Sequence, residues 1–327
     1  MSRRQVVGVL DVGTTKIVAL LAEIGPNGQP IIKGFGECPT LGIRKGVVVD
    51  KTALSKSMAR AMTLAKTMAG ETVKAVYVSF PSYGSLTSEL ELTDEDLIQC
   101  VMLNDLDIKQ VVVSTVAAAE AVLTETDRRL GTFFMDLGGT TTGLAVFDQG
   151  NLIYADSLPI GSEHITSDLA VCLRTTLGEA KRVKQELGLE NPSPELDLEI
   201  TGIGGQETRK VPVSTAVAVM QSRVQEILEM ALQRVEHCYR LESLSGGVVL
   251  TGGGALLKGI INRVRSQLGL PQVKLGSVNN GGKLLPAEWT GPGYASSMGL
   301  LIYGTKRDSR RSENLFGWRG VLARRLK

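Results

Sequence analysis

Leu250-Thr-Gly-Gly-Gly-Ala-Leu-Leu257 decides how the rest of the chain is read, because two earlier stretches share its build. These are Val9-Leu-Asp-Val-Gly-Thr-Thr-Lys16 and Phe134-Met-Asp-Leu-Gly-Gly-Thr-Thr-Thr142. Each is an apolar run that ends in small and hydroxyl residues. Asp11 and Asp136 stand where strand gives way to turn, and Gly13, Gly138 and Gly139 permit a tight backbone there. Glycine lets backbone N–H groups come close to an anion, and threonine hydroxyls add donors. A carboxylate beside such a loop suits Mg²⁺ held through water, since that ion takes oxygen ligands. Singly, each string is compatible with an ordinary strand–turn junction. All three in this order predict an α/β chain in which a nucleotide is gripped between two similar domains.

The chain's 327 residues are enough for two domains with their own cores. A hydrophobic content of 43% and a charged content of 21% fit a globular protein, and with aromatics at 4% the cores fall to Val, Leu, Ile and Ala. Cys38, Cys100, Cys172 and Cys238 form no CxxC pair, and His164 and His237 are too few for a zinc site. Reduced cytoplasmic thiols are the plain reading. Met-Ser-Arg-Arg runs directly into a strand, which predicts no signal peptide, and no apolar run has the length of a membrane span. The net charge of +2 is uneven: Lys306–Lys327 carries +6 and the remainder −4.

Strands are predicted at Val6–Leu10, Ile17–Glu23 and Ile31–Glu37, then a helix at Lys51–Ala69 and a strand at Val73–Phe80. This β-β-β-α-β order argues against a dinucleotide fold. Met58, Met62 and Met68 recur at helical spacing and read as core filler. Thr93–Asn104 reads as a helix, Val111–Val113 as a short strand and Thr115–Leu123 as an alanine-rich helix. The pattern restarts at Gly131–Asp136, Leu144–Phe147 and Leu152–Pro159, an echo that points to internal duplication. His164, near a helix start, reads as structural rather than catalytic. Asp197–Ile203 and Glu207–Pro212 form a hairpin, Val213–Cys238 a long amphipathic helix and Gly291–Gly304 a glycine-rich entry to an apolar helix.

Paired Asp-bearing loops with Thr-Gly-Gly-Gly mark the superfamily of actin, heat-shock ATPases and sugar kinases. Within it the chain most resembles the FtsA family of bacterial cell-division proteins. The resemblance rests on Val9–Lys16, Gly42-Ile-Arg-Lys-Gly-Val-Val-Val-Asp50, Phe134–Thr142, Leu158-Pro-Ile-Gly-Ser-Glu-His-Ile-Thr-Ser-Asp168, Val248–Ala255 and Ser297–Gly304. It implies an actin-like ATPase fold of two duplicated domains around a nucleotide cleft, with ATP and Mg²⁺ as cofactors. Asp11, Gly13, Thr14, Thr15 and Lys16 would form the first phosphate loop, and Asp136, Gly138, Gly139, Thr140 and Thr141 the second. Gly252, Gly253 and Gly254 would line adenosine, and Asp11 and Asp136 would hold Mg²⁺ through water. Lys184 matches the lysine of a Glu-x-x-Lys motif beside the nucleoside, although Lys181 stands at the glutamate position and Glu179 is the alternative.

The resemblance further implies domains at 1–130, with 298–305 returning to the first, and 131–297, whose part called 2B spans 166–245. The family's inserted subdomain, called 1C, has no room here, since only Phe80–Leu92 stands in its place. No Glu or Gln opens Ser114-Thr-Val-Ala-Ala-Ala119 to orient a water, so ATP hydrolysis is expected to be slow or absent and no catalytic residue is assigned. The implied function is an adaptor that holds the C-terminal peptide of FtsZ at an anionic membrane surface, self-associates and takes no nucleic acid. A pilus adaptor of the PilM kind, or a small sugar or carboxylate kinase, are the alternatives.

Lys306–Asn314 reads as a polar linker. Beyond it, Leu315, Trp318, Leu322 and Leu326 share one helical face flanked by arginines, the pattern of an amphipathic helix lying in a membrane surface. A helix that docks back on the body, or a solubilising tail, are the other readings. With the resemblance, the membrane reading implies a peripheral protein on the inner face of the cell membrane.

Overall fold

The computed structural model describes residues 5–44, 47–81, 95–190, 196–205, 208–237, 239–278 and 289–309. Their compact units are two: residues up to 81, 95–122 and from 278 onward form the first, and 123–277 the second. Leu315, Trp318, Leu322 and Leu326, and nearly all of the short stretch in the place of 1C, lie outside the described residues.

In the first unit β1 (Val6–Val12), β2 (Lys16–Ile24) and β3 (Pro30–Pro39) form an antiparallel meander, followed by the small pair β4 (Ile43–Arg44) and β5 (Val47–Val48). Helix α1 (Lys51–Ala69) crosses over to β6 (Ala75–Phe80), which runs parallel to β1. Helix α2 (Glu95–Met102) precedes β7 (Asp107–Val113), parallel to β6, and α3 (Ser114–Val122) follows. The sheet order is β3-β2-β1-β6-β7. Central β1 and β2 are buried almost throughout and read as unbroken apolar runs, whereas edge strand β3 alternates over its second half.

Helix α1 is set by its ends and one face. The Asp50 carboxylate accepts from the Ala53 N–H at 3.0 Å, and Gly70, at φ 66°, returns its N–H to the Lys66 carbonyl. Leu54, Met58, Ala61, Met62 and Ala65 are buried, each large one contributing about 1.5–3 kcal/mol. The helix lies so close on β3 that a Cβ on Gly34 or Gly36 would overlap the carbonyls of Ala65 and Ala61. Met58 and Met62 are therefore core. Met68 is 60% exposed, because it has turned off the packed face by the last turn.

The second unit opens with α4 (Glu125–Leu130), started by a capping box between Thr124 and Asp127. Strands β8 (Thr132–Leu137), β9 (Thr142–Asp148) and β10 (Asn151–Leu158) repeat the meander. Helices α5 (Ser162–Cys172) and α6 (Leu177–Leu187), the hairpin β11 (Asp197–Thr201) and β12 (Thr208–Pro212), and the long α7 (Val213–Glu236) come next. Strand β13 (Val248–Thr251) runs parallel to β8, and after α8 (Ile260–Leu268), β14 (Val273–Leu275) runs parallel to β13. The sheet order β10-β9-β8-β13-β14 copies that of the first unit, as the sequence echo predicts.

Residues 295–309, here α9, form a helix of the first unit. It packs so tightly on α3 that a Cβ on Gly299 would collide with the Ala117 carbonyl oxygen. The expected linker from Lys306 starts later, since α9 runs to Ser309 and Asp308 is buried, accepting from Tyr77 Oη at 2.8 Å and Lys109 Nζ at 2.6 Å. The passage between units falls at 122/123 rather than at 130, because α4 belongs with the second sheet: Lys274 beside β13 pairs with Asp127.

Candidate functional site

The two aspartate hairpins occupy equivalent places, at the carboxyl end of the first strand of each meander. Asp11 pairs in register with Ser79 of β6, and Asp136 with Thr251 of β13. The carboxyl ends of parallel strands are where α/β sheets commonly receive ligands.

In the first hairpin, Asp11 is 8% exposed and its carboxylate accepts three hydroxyl hydrogen bonds. Ser79 donates to Oδ1 at 2.7 Å, Ser296 to Oδ1 at 3.0 Å and Ser297 to Oδ2 at 2.7 Å. The turn itself is tight: a Cβ on Gly13 would stand 2.7 Å from the Lys16 carbonyl oxygen, and the Thr40 hydroxyl donates to the Gly13 carbonyl at 2.7 Å. Thr15 is exposed at the tip, with its carbonyl accepting from the Thr40 N–H. Lys16 points its ammonium at Glu37 (3.2 Å) and lies over the Tyr294 ring, 3.3 Å from its centroid. Burial lowers the Lys16 pKa, with Glu37 opposing that shift. Of the loop residues expected here, the structure gathers Asp11, Gly13, Thr14 and Thr15 at one turn, while the Lys16 head group belongs to the Glu37–Tyr294 cluster.

The second hairpin is braced by backbone. Gly138 N–H closes the turn on the Thr141 carbonyl at 2.9 Å. The Gly138 and Gly139 carbonyls accept from the first amides of α5, Ser162 N–H at 2.9 Å and Glu163 N–H at 2.8 Å. A trans peptide holds its C=O and the following N–H antiparallel. Anchoring these two carbonyls on α5 therefore turns the N–H groups of Gly139 and Thr140 away from it, the arrangement an anion-binding turn needs. Gly161 makes the approach possible, since a Cβ there would stand 2.6, 2.7 and 2.8 Å from the carbonyl oxygens of Gly139, Gly138 and Thr141. His164 is structural, as its place near a helix start predicts: its Nδ1 accepts from the Gly161 N–H at 3.1 Å.

Lys184 sits behind this brace, donating to the Ser162 carbonyl at 2.9 Å and the Thr166 hydroxyl at 2.7 Å. Burial lowers its pKa, and the nearby Glu163 charge works against that shift. Glu179 does not replace the missing glutamate: it accepts from Arg182 and from the Thr201 N–H. The glycine turn closes on the hairpin's other side. Gly252, at φ 86°, lies where a Cβ would overlap Asp136 Oδ1 and the Leu137 carbonyl. Gly254 packs against the Leu137 side chain, and Gly253 is open to solvent. The glycine turn thus packs on the hairpin of Asp136, Gly138, Gly139, Thr140 and Thr141 in the second unit, with Gly252 and Gly254 buried and Gly253 exposed. Sequence reasoning missed Ser79, Ser296, Ser297 and Gly161, which act on the hairpins from distant points in the chain.

A model of the family described as cell division protein FtsA matches residues 134–299, just over half of the chain. The chain belongs to the FtsA family. Its relatives include the cell division protein FtsA of Borreliella burgdorferi, 25% identical over 97% of this chain and 98% of that protein. That alignment runs over 416 positions, more than the 327 residues present, so it opens gaps in this chain. FtsA of Pseudomonas aeruginosa is 24% identical over 94% of this chain and 91% of that protein. Among solved structures, MreB5 of Spiroplasma citri bound to ADP superposes with a TM-score of 0.68 at 17% identity, covering 95% of this chain and 99% of that one. The fold is that of the actin-like ATPases.

The donor set of each hairpin fits the cofactors the fold family implies. Asp11 has about four lone-pair positions and uses three, leaving one for a water of a hydrated cation. Among the described residues no cluster of three or more His, Cys, Asp or Glu side chains could hold a metal ion directly. No helix of the described residues is long and apolar enough to cross a membrane.

Proposed function

We propose that this FtsA-family chain is an ATP-binding adaptor that ties the FtsZ C-terminal peptide to the inner face of the cytoplasmic membrane. The observation that carries this reading is the pair of hairpins, equivalent in two sheets of one topology, in a chain of a cell-division family. Asp11, Gly13, Thr14 and Thr15 serve phosphate binding in the first unit. Asp136, Gly138, Gly139, Thr140 and Thr141 do so in the second, with Gly252, Gly253 and Gly254 against the nucleoside. Asp11 and Asp136 hold hydrated Mg²⁺, which screens the phosphate charge. Lys16 joins the phosphates only on leaving Glu37, and Lys184 supports the loop from behind.

The reading assigns the FtsZ peptide to the part around 166–245. It takes the chain to lack subdomain 1C, in keeping with the gaps of the 416-position alignment. Self-association is expected to be favoured by ATP. Ser114 opens α3 with a hydroxyl where a carboxylate or amide would orient a water, so hydrolysis is expected to be slow.

Membrane attachment is assigned to Leu315, Trp318, Leu322 and Leu326 with the flanking arginines. Each basic residue near anionic lipid is worth about 1 kcal/mol, so one tail binds reversibly and several on an oligomer bind firmly. Co-sedimentation with vesicles containing anionic lipid, with ATP and an FtsZ C-terminal peptide, tests the whole. The full chain is expected to carry the peptide into the pellet, and Trp318→Glu to leave both in the supernatant. Equal pelleting by that variant contradicts the anchor.

A further inference from the structure

Three hydroxyls converge on Asp11, and they differ in origin. Ser79 lies on the neighbouring strand, in register with Asp11. Ser296 and Ser297 come from the first turn of α9, 285 and 286 residues away in the chain. Ser79 and Ser297 are fully buried and donate at 2.7 Å, one to each carboxylate oxygen.

A serine within a helix commonly turns its hydroxyl back to a carbonyl of the preceding turn. Here both hydroxyls leave the helix for one carboxylate. The terminal torsion of an aspartate is otherwise soft and roughly two-fold. Donors on both oxygens, from two separate elements, fix its plane.

Helix α9 is itself held along its length. Gly299 is pressed on the Ala117 carbonyl and Gly304 on the Tyr77 ring, where a Cβ would stand 2.7 Å from Cδ2. At the far end Asp308 accepts from Tyr77 and Lys109. The serines are thus presented from a rigid support rather than a loop.

With Oδ1 accepting from Ser79 and Ser296, and Oδ2 from Ser297, the remaining acceptor position falls on Oδ2. We propose that Ser296 and Ser297 are positioning residues that orient the Asp11 carboxylate so that this single position on Oδ2 receives a water of nucleotide-borne Mg²⁺. The inference rests on the nucleotide reading above and adds what makes Asp11 competent in it. It assigns cation coupling to the helix that precedes the C-terminal tail, not to the phosphate loop alone. Groups that support a cation-holding side chain typically change metal affinity by about 10- to 100-fold when removed.

The test is ATP affinity measured with Mg²⁺ and with EDTA, together with thermal melting, on the full chain. The wild type is expected to bind ATP more tightly with Mg²⁺. In Ser296→Ala/Ser297→Ala that Mg²⁺-dependent gain should fall by about 10-fold or more, with ATP affinity in EDTA unchanged. The single change Ser297→Ala should lose a smaller part of the gain while lowering the melting temperature no more than Ser79→Ala does. Asp308→Asn, which loosens the far end of α9 without touching Asp11, should lower the melting temperature and keep the gain.

A double variant that keeps the full Mg²⁺ gain overturns the inference while leaving the nucleotide reading intact. Equal loss of the gain in Asp308→Asn also overturns it, since general loosening of α9 would then suffice. A wild type that binds ATP with no Mg²⁺ gain overturns this inference alone, and one that binds no ATP under either condition overturns the nucleotide reading as well.

Discussion

The two units build the same hairpin on the same sheet and hold it by different means. In the first, side chains do the holding: hydroxyls of Ser79, Ser296 and Ser297 fix the carboxylate of Asp11. In the second, backbone does it: the α5 amides hold the Gly138 and Gly139 carbonyls, and Gly161 and Gly252 allow the contact. At the matching register position, Ser79 donates to its aspartate, and the Thr251 hydroxyl donates to the Gly276 carbonyl. The first arrangement fixes a charge, and Thr40 supports its loop through the Gly13 and Thr15 carbonyls. The second fixes the loop, with its amides turned outward, and packs Gly252 directly against the aspartate. Duplication preserved the place of the aspartate hairpin and let its supports diverge.

This contrast breaks most readily at Gly161. Gly161→Ala puts a Cβ against three backbone oxygens that cannot step aside. The expected cost is about 3 kcal/mol in denaturant unfolding, with loss of ATP binding. Wild-type stability in that variant would mean that the α5 brace is not rigid.

Ser79→Ala removes one donor of three from Asp11 and leaves the backbone untouched. Its expected cost is about 1.5 kcal/mol by the same measurement, since hydrogen bonds to charged groups lie in that range. An effect as large as that of Gly161→Ala would erase the distinction between side-chain and backbone support.

The smallest effect concerns Lys184. Burial holds its folded pKa below the ordinary 10.5, so the folded state binds fewer protons than the unfolded one between those two values. Stability linked to this group therefore rises as pH increases through that interval, and is level above it. Melting temperature followed from neutral pH towards 10.5 should show this rise in the wild type, and Lys184→Met should flatten it. An equal rise in the variant would assign it to other groups.

Much of the fold could be read from local patterns. The hairpins announce themselves in Asp11-Val-Gly-Thr-Thr and Asp136-Leu-Gly-Gly-Thr-Thr, and the repeat of the meander follows from alternating apolar runs between turns. What stayed hidden depends on partners far along the chain. Strand β7 looked like Val111–Val113 because Lys109 and Gln110 are polar. In the structure both reach α9, Lys109 pairing with Asp308 and Gln110 accepting from Tyr303 Oη at 3.0 Å. The same contact hides the end of α9, since Lys306–Ser309 reads as polar linker until Asp308 is seen buried.

The candidate site divides in the same way. Asp11, Asp136 and the glycines could be named as candidates from the sequence, because an anion-binding turn would need them next to one another. Ser79, Ser296 and Ser297 could not, because a serine at a strand end or in an Ala-Ser-Ser-Met run carries no local signal of what it will touch. Thr124-Glu-Thr-Asp127 has the spacing of a capping box, but α4 is not among the predicted helices and is a finding of the structure.

The central claim of the proposed function is that each aspartate hairpin contributes to nucleotide binding. Equilibrium titration of a fluorescent ATP analogue with Mg²⁺ into the wild-type chain, Asp11→Ala and Asp136→Ala tests it most directly. Saturable binding by the wild type and its loss in either variant is the predicted result. Undiminished binding in both variants, or none by the wild type, would contradict it.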